Sequence, residues 1–298
     1  SRVKVLMTWN VFQWGSLKTR VTLSTLAIFL ASIWSLSFYA NRMLREDLRS
    51  LVSEQQVSTL SLVAAEISQE LEGRFRALES VAGGLAPLTP GNTATLQAFL
   101  EARLVLPNLF NGGYSVLGAD GTVIADVPLA AGRIGVNYMD KAHVLDALRR
   151  GKAGISAPIM GRKMSAPIFA MAVPIRNAQG KVIGALTGAT DLGRPNFLDK
   201  ITEGRFGRTG RYLLVAPQYR LVVTGTDKSR IMQPLPAPGI NPQVDRFVQG
   251  YEGSEIFLNP LGEEVLASAK GIPVAGWYVA LGLPTAEAFA PVHAMQQR

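Results

Sequence analysis

The alternation of apolar and polar positions changes character twice along the chain. Between Arg20 and Arg42 lie 21 residues with no charge, Val21 to Asn41. A bilayer core takes about 20 helical residues, so this run is long enough to span. It exceeds the roughly 7–15-residue apolar region of a cleaved signal peptide. Ala40 offers a small exit residue, but Phe38 stands where a second is needed. From Arg42 to Leu85 there is no proline. Apolar residues recur at Leu44, Leu48 and Leu51, then at Leu60, Ala64, Ile67, Leu71, Phe75, Leu78, Val81 and Leu85. Spacings of three and four mark one face of a long helix. Some 40 residues at 1.5 Å each reach roughly 60 Å, more than most globular helices. This predicts a stalk that packs along its own domain or pairs with a second copy of itself. The polar gap at Gln55, Gln56 and Ser58 interrupts a continuous coiled-coil seam.

After Pro87 and Pro90 a second helix is predicted from Thr93 to about Leu104, and then the pattern becomes β-rich. Tyr114–Leu117 and Val123–Val127 flank the turn at 118–121 and predict a hairpin. A helix is expected over Asp140–Arg150, stopped by Gly151. Strands follow at Ile155–Met160, Ile168–Ile175 and Val182–Thr190, the last two joined by a turn at 177–180. The order then repeats. Gly113-Tyr114 opens one strand and Gly210-Arg211-Tyr212 another. The helix end at Leu148–Gly154 is echoed at Val248–Gly253, and Val182–Gly188 has a counterpart in Trp277–Gly282. Three matches in one order at a similar offset predict two copies of one α+β unit. The strands are too close for parallel crossovers, so each sheet is expected to be antiparallel with helices on one side.

Charge changes the picture only at the N-terminus. The formal net charge of +8 and the pI of 9.9 invite a nucleic-acid reading. Arg2, Lys4, Lys18, Arg20 and Arg42 carry most of that excess, however, and residues 1–42 contain no acid. Without those five, 25 basic residues face 22 acidic ones, so no nucleic-acid partner is expected. Basic residues before an apolar span place the N-terminus in the cytoplasm and the bulk of the chain outside. Cysteine is absent and only His143 and His293 are present. Thiol catalysis and multi-histidine metal sites are therefore excluded, and no metal or cofactor is expected. Neither a phosphate loop nor a zinc-protease or serine-hydrolase motif occurs.

An anchor, a long helix and two tandem units of this order resemble the double Cache extracytoplasmic sensor family of bacterial receptors. The resemblance is carried by Asp140-Lys-Ala-His-Val144 followed by Ala147–Lys152, by the strand Val182–Asp191 that ends in aspartate, and by Gly207–Val215. His143 and Val144 depart from the aromatic pair usual in the first of these motifs. The resemblance covers about residues 42–290. It implies an α+β fold: an N-terminal transmembrane helix, a long stalk helix and two tandem PAS-like Cache modules with antiparallel sheets. The implied division is a cytoplasmic N-terminus (1–20), a transmembrane helix (21–41), the stalk (42–90), a membrane-distal module (91–196), a membrane-proximal module (197–290) and the start of a link to a second span (291–298). It also implies a sensor without catalytic residues, set in a bacterial inner membrane with its bulk periplasmic. A homodimer and a cytoplasmic output domain beyond the chain are expected, most like those of diguanylate cyclases, with or without a phosphodiesterase.

The candidate ligand-binding residues are Tyr138, Asp140, His143, Phe169, Thr190 and Asp191. Asp140 and Asp191 are acceptors suited to a cationic group on a small ligand, although Asp140 would also serve as a helix N-cap and Asp191 as the start of a turn. Tyr138 and His143 bracket Asp140 and could stack on or hydrogen-bond a ligand. Phe169 and Thr190 lie on strands whose pattern leaves core and pocket equally open. Arg162, Lys163 and Met164 read as a solvated hairpin loop, with a carboxylate ligand as the alternative. The Arg–Trp pair of the family's amino-acid-binding subgroup is missing near Tyr138, so the resemblance does not imply an amino-acid ligand. Two other functions fit the residues: a membrane-anchored extracytoplasmic hydrolase using His143 or Asp140 as base, and a structural scaffold with no small ligand.

Overall fold

The computed structural model describes residues 17–87 and 92–290. The expected link at 291–298 and most of the cytoplasmic N-terminus lie outside the described residues. Helix α1 runs from Leu17 to Leu85. The chain divides into two compact units, Ser1–Leu51 with Phe289–Arg298, and Val52–Ala288.

In the first unit α1 is long and apolar enough to cross a membrane, with an 18-residue window of mean hydropathy 1.8 that is wholly unburied. Three of its hydroxyls are satisfied without water. The hydroxyls of Ser24, Thr25 and Ser32 each donate to a carbonyl four residues back, Arg20, Val21 and Ile28, at 2.8 Å. A hydroxyl that closes on its own helix does not cost an unmet hydrogen bond in hydrocarbon.

In the second unit the buried positions of α1 are Gln56, Leu60, Ala64, Ile67, Leu71, Arg74, Leu78, Val81, Ala82 and Leu85. This is the face the spacing predicts, and it packs on the chain's own domain. The polar gap proves to be a contact. Gln56 is fully buried, donates to the Leu266 carbonyl at 3.2 Å and accepts from Ser268 Oγ at 2.6 Å.

The first sheet module begins with α2 (Thr93–Glu101), α3 (Val105–Leu109), β1 (Tyr114–Gly118) and β2 (Val123–Val127). Then come α4 (Ala142–Leu145), a π-helical turn at Asp146–Arg150, β3 (Gly154–Ile155), β4 (Ile159–Met160), β5 (Pro167–Arg176) and β6 (Val182–Asp191). Strand order is β2-β1-β6-β5-β3, with β4 paired to β5 off this path. Helix α2 stops short of the expected Leu104, whose side chain is 80% exposed and offers no contact to extend the helix. It clamps β2 through Gln97, which accepts from the Asp126 amide at 2.9 Å and donates to its carbonyl at 2.8 Å.

The second module holds α5 (Asp199–Thr202), β7 (Arg211–Ala216), β8 (Leu221–Gly225), α6 (Pro242–Val248), β9 (Gly253–Leu258), β10 (Glu264–Ile272), β11 (Trp277–Pro284) and α7 (Thr285–Ala288). Its order, β8-β7-β11-β10-β9, is that of the first sheet, and every pairing in both is antiparallel. The internal repeat is thus a repeat of topology.

One apolar cluster joins α1 to both sheets through Tyr114 and Val116, Phe169 and Met171, Leu214, and Trp277 and Val279. Alternation along the strands sends the other residues to the opposite faces. Close packing on the α1 side explains Gly188, where a Cβ would come within 2.6 Å of the Phe110 ring.

Candidate functional site

The face of the first sheet turned away from α1 carries Ser115 and Leu117 of β1, Ile168 and Ala170 of β5, and Thr187 and Ala189 of β6. With Tyr138, Lys141, His143, Ile159 and the turn Met160–Met164 they line a cavity of ≈ 60 Å³. The turn between β4 and β5 is drawn tight by Gly161 N–H to Ala166 O at 2.9 Å and Ser165 N–H to Gly161 O at 3.1 Å, and Ser165 sits at φ 48°.

Arg133 lies at the cavity wall and is neutralised from behind. Its Nε donates to Asp126 Oδ1 at 2.8 Å and its Nη2 lies 2.7 Å from the same oxygen. Nη1 reaches the Gly112 carbonyl and Nη2 the Val127 carbonyl, both at 3.0 Å, while Ser115 Oγ donates to Asp126 Oδ1 at 2.9 Å. Both charges are buried and fully paired, the condition under which buried ions are tolerated.

Lys141, Arg162 and Lys163 are the remaining charged groups of the lining, and all are basic. Asp140 does not line the cavity. It is exposed beside it, 2.5 Å from Arg162 Nη2 and 3.3 Å from Lys141 Nζ. Burial is the largest single influence and raises its pKa, but the hydrogen bond and charge of Lys141 and the charge of Arg162 together outweigh it and hold the carboxyl below the usual range. Asp140 is not the helix cap either. Lys141 holds that position, without a side-chain cap bond. Arg162 also donates to the Asn137 carbonyl at 2.7 Å and stands 5.4 Å from the Tyr138 ring centre.

His143 is buried in the wall. Burial first, then the positive charge of Lys141, lowers its pKa to about 4, against opposing pulls from Asp146 and Asp140. At neutral pH it is an uncharged imidazole with one donor and one acceptor. Burial pushes the Tyr138 phenol up, so it stays protonated.

Tyr138 and His143 thus meet at the cavity, and Asp140 stands beside it. The structure does not bring the other three candidates there. Phe169 is fully buried on the α1 side, edge-on to Trp277 at 5.3 Å and to Phe197 at 6.3 Å. Thr190 pairs with Phe169 across the strands and shares its face, its hydroxyl buried with no hydrogen-bond partner. Asp191 ends β6 on the cavity side but folds onto its own turn, Oδ1 accepting from Gly193 N–H at 2.9 Å. Asn111 holds the Asp191 backbone, accepting from its N–H at 2.7 Å and donating to its carbonyl at 3.1 Å. Single-residue placement decides these outcomes: in a strand a shift of one position moves a side chain to the other face. Arg133 went unnoticed in the sequence. A signal was available, since Asp126 is a lone charge within the apolar strand Val123–Val127 and needs a buried partner.

Residues 44–292 match the Cache domain family. The chain belongs to it. Cache domains of this kind are the extracytoplasmic ligand-sensing parts of signalling receptors. A curated relative, the methyl-accepting chemotaxis protein McpA of Pseudomonas putida, is 21% identical over 276 residues, which are 91% of this chain and 41% of that protein. The chain therefore spans about two fifths of the length of this relative. Among solved structures, the ligand-binding domain of the Pseudomonas fluorescens chemoreceptor CtaA in complex with L-isoleucine superposes with a TM-score of 0.65 at 20% identity, covering 85% of this chain and 98% of that one. The ligand-binding domain of the Pseudomonas aeruginosa amino-acid chemoreceptor PctC in complex with GABA gives 0.60 at 23%, covering 78% and 99%. Likeness at this identity shows a shared fold.

Proposed function

We propose that this Cache region senses a small ligand carrying a carboxylate, bound in the first module under the β4–β5 turn. The carrying observation is the charge of the lining: apart from the neutralised Arg133, its ionised groups are Lys141, Arg162 and Lys163. The two aspartates expected to receive a cationic group are engaged elsewhere, Asp140 by Arg162 and Lys141 and Asp191 by its own turn. Neutral His143 and protonated Tyr138 supply the uncharged hydrogen bonds. The bound isoleucine and GABA of the fold relatives share the carboxylate.

A cavity of about 150 Å³ holds benzene. At ≈ 60 Å³ this one is too small for such a molecule, so the Gly161–Met164 turn must move outward to admit a ligand. Arg162 then exchanges Asp140 for the ligand's carboxylate, which gives the ligand different affinities for the two positions of the turn. Such a difference is what lets binding drive a conformational signal. The hydrolase reading is weaker, because a base with a pKa of about 4 is poorly matched to proton abstraction near neutrality.

The chain is read as a receptor piece with an inner-membrane span at 21–41, a distal module at 91–196 and a periplasmic proximal module at 197–290, acting as a homodimer. For the cytoplasmic output, the relative McpA favours a methyl-accepting type over the diguanylate cyclase suggested by sequence style.

The test is a thermal-shift screen of the chain in nanodiscs against amino acids, simple organic acids and amines. A ligand at 100 times its dissociation constant adds about 2.7 kcal/mol, or roughly 2–4 °C for a domain of this size. Hits confined to carboxylates and abolished by Arg162→Ala support the reading, and acids without an amine separate organic acids from amino acids. Hits among amines that lack a carboxylate overturn it.

A further inference from the structure

The second module repeats the sheet, and the equivalent face carries a larger cleft. Leu213 of β7, Val265 and Ala267 of β10, and Tyr278, Ala280 and Gly282 of β11 floor a cleft of ≈ 820 Å³, more than ten times the first cavity. Small-molecule sites usually measure about 300–1,000 Å³. The cleft walls are apolar, from Leu213, Leu235, Val244, Phe247, Phe257 and Val265. Among the described residues, no strand equivalent to β4 pairs with this sheet.

At one side of this apolar cleft stand polar groups that the fold does not use. The half-buried Arg230 guanidinium has one long hydrogen bond, Nε to Gln233 Oε1 at 3.4 Å, and no ion pair among the described residues. Arg211, also in the lining, makes no side-chain hydrogen bond or ion pair among them. The nearby acid, Asp227, accepts at Oδ1 from the Ser229 N–H at 3.0 Å and its hydroxyl at 2.7 Å, and its charge acts on Arg211 and Arg230 at a distance, without an ion-pair contact to either. Tyr278 is 7% exposed, its ring tilted on Phe247 at 6.4 Å, and its hydroxyl has no hydrogen-bond partner among the described residues. Burial depresses the Arg230 guanidinium below its ordinary value and pushes the Tyr278 phenol well up. The guanidinium nevertheless stays charged at neutral pH, and the phenol stays protonated. A cation and a donor left unmet in a desolvating site are costly unless something else completes them.

We propose that this cleft is a second ligand site, for a carboxylate on an apolar body, with Arg230, Arg211 and Tyr278 receiving the carboxylate and the α6-side cluster taking the hydrocarbon or aromatic part. The site is distinct from the first-module cavity and differs from it in taking a larger, more apolar acid. Ile240, Leu258 and Leu261, which are 74%, 63% and 68% exposed, form an apolar rim that such a ligand would cover.

The experiment is calorimetric titration of the full chain in nanodiscs with phenylacetate, and with phenylethanol and phenethylamine as the neutral and cationic counterparts. Saturable binding of phenylacetate is expected, with the alcohol and amine about tenfold weaker or more. Arg230→Gln and Tyr278→Phe should each weaken phenylacetate by a similar factor, while Arg162→Ala in the first module leaves its affinity within about twofold. Tyr278→Phe removes a single oxygen and serves if Arg230→Gln perturbs folding, which circular dichroism reads. Equal binding of acid and alcohol, indifference to both second-module variants, loss on Arg162→Ala alone, or no saturable binding each overturns the proposal.

Discussion

The two sheet modules share strand order and pairing yet present opposite surfaces on their outward faces. In the first, the extra strand β4 and its turn line the face, and a buried Asp126–Arg133 pair backs a small cavity of ≈ 60 Å³. In the second, no such strand is paired to the sheet among the described residues, and a larger cleft of ≈ 820 Å³ holds Arg230, which has no ion pair among them. The contrast teaches that a repeated topology fixes where a site can be, whereas short connecting segments fix its size and charge.

The largest test of this contrast compares an arginine that has a partner with one that lacks it. Asp126→Ala leaves Arg133 buried at 7% exposure with no counter-charge, and should cost about 3–5 kcal/mol in urea unfolding. Arg230→Gln should stay within about 0.5 kcal/mol, because no ion pair is lost. Equal costs would break the comparison.

Next in size is pH. The His143 pKa falls from 6.5 to about 4 in the fold. The unfolded chain therefore binds the proton at higher pH than the folded one, and stability is lost as pH falls from about 6.5 towards 4. The full loss is about 3 kcal/mol. The described part of the second module holds no histidine, so His143→Gln should flatten this portion of the stability–pH curve. A curve that keeps its slope would assign the dependence elsewhere.

The smallest effect sharpens the face assignment. Thr190→Val removes a buried hydroxyl that has no partner and should stabilise the chain by about 1 kcal/mol, without changing first-module affinity. Loss of ligand affinity in this variant would put Thr190 back among the binding residues.

Much of the fold was legible because it follows from period. The α1 face from Leu60 to Leu85 is a spacing of three and four, and the hairpin of β1 and β2 is two apolar runs around a turn. The site was only partly legible. Tyr138 and His143 reach the cavity, but Phe169 and Thr190 fall on the opposite face, and the loop residues Arg162 and Lys163 supply the charge. Strand parity at a given residue depends on register, and a loop's direction depends on what it packs against.

Local pattern by itself determined the apolar span, the long helix with its buried stripe and the doubled α+β unit, because each rests on periodicity or length. Tertiary structure alone decided that Gln56 meets Ser268 rather than a second helix. It alone paired Asp126 with Arg133, and it alone gave one copy of the sheet a small cavity and the other a larger cleft. Those outcomes depend on which residues far apart in the chain become neighbours, and sequence spacing carries no record of that.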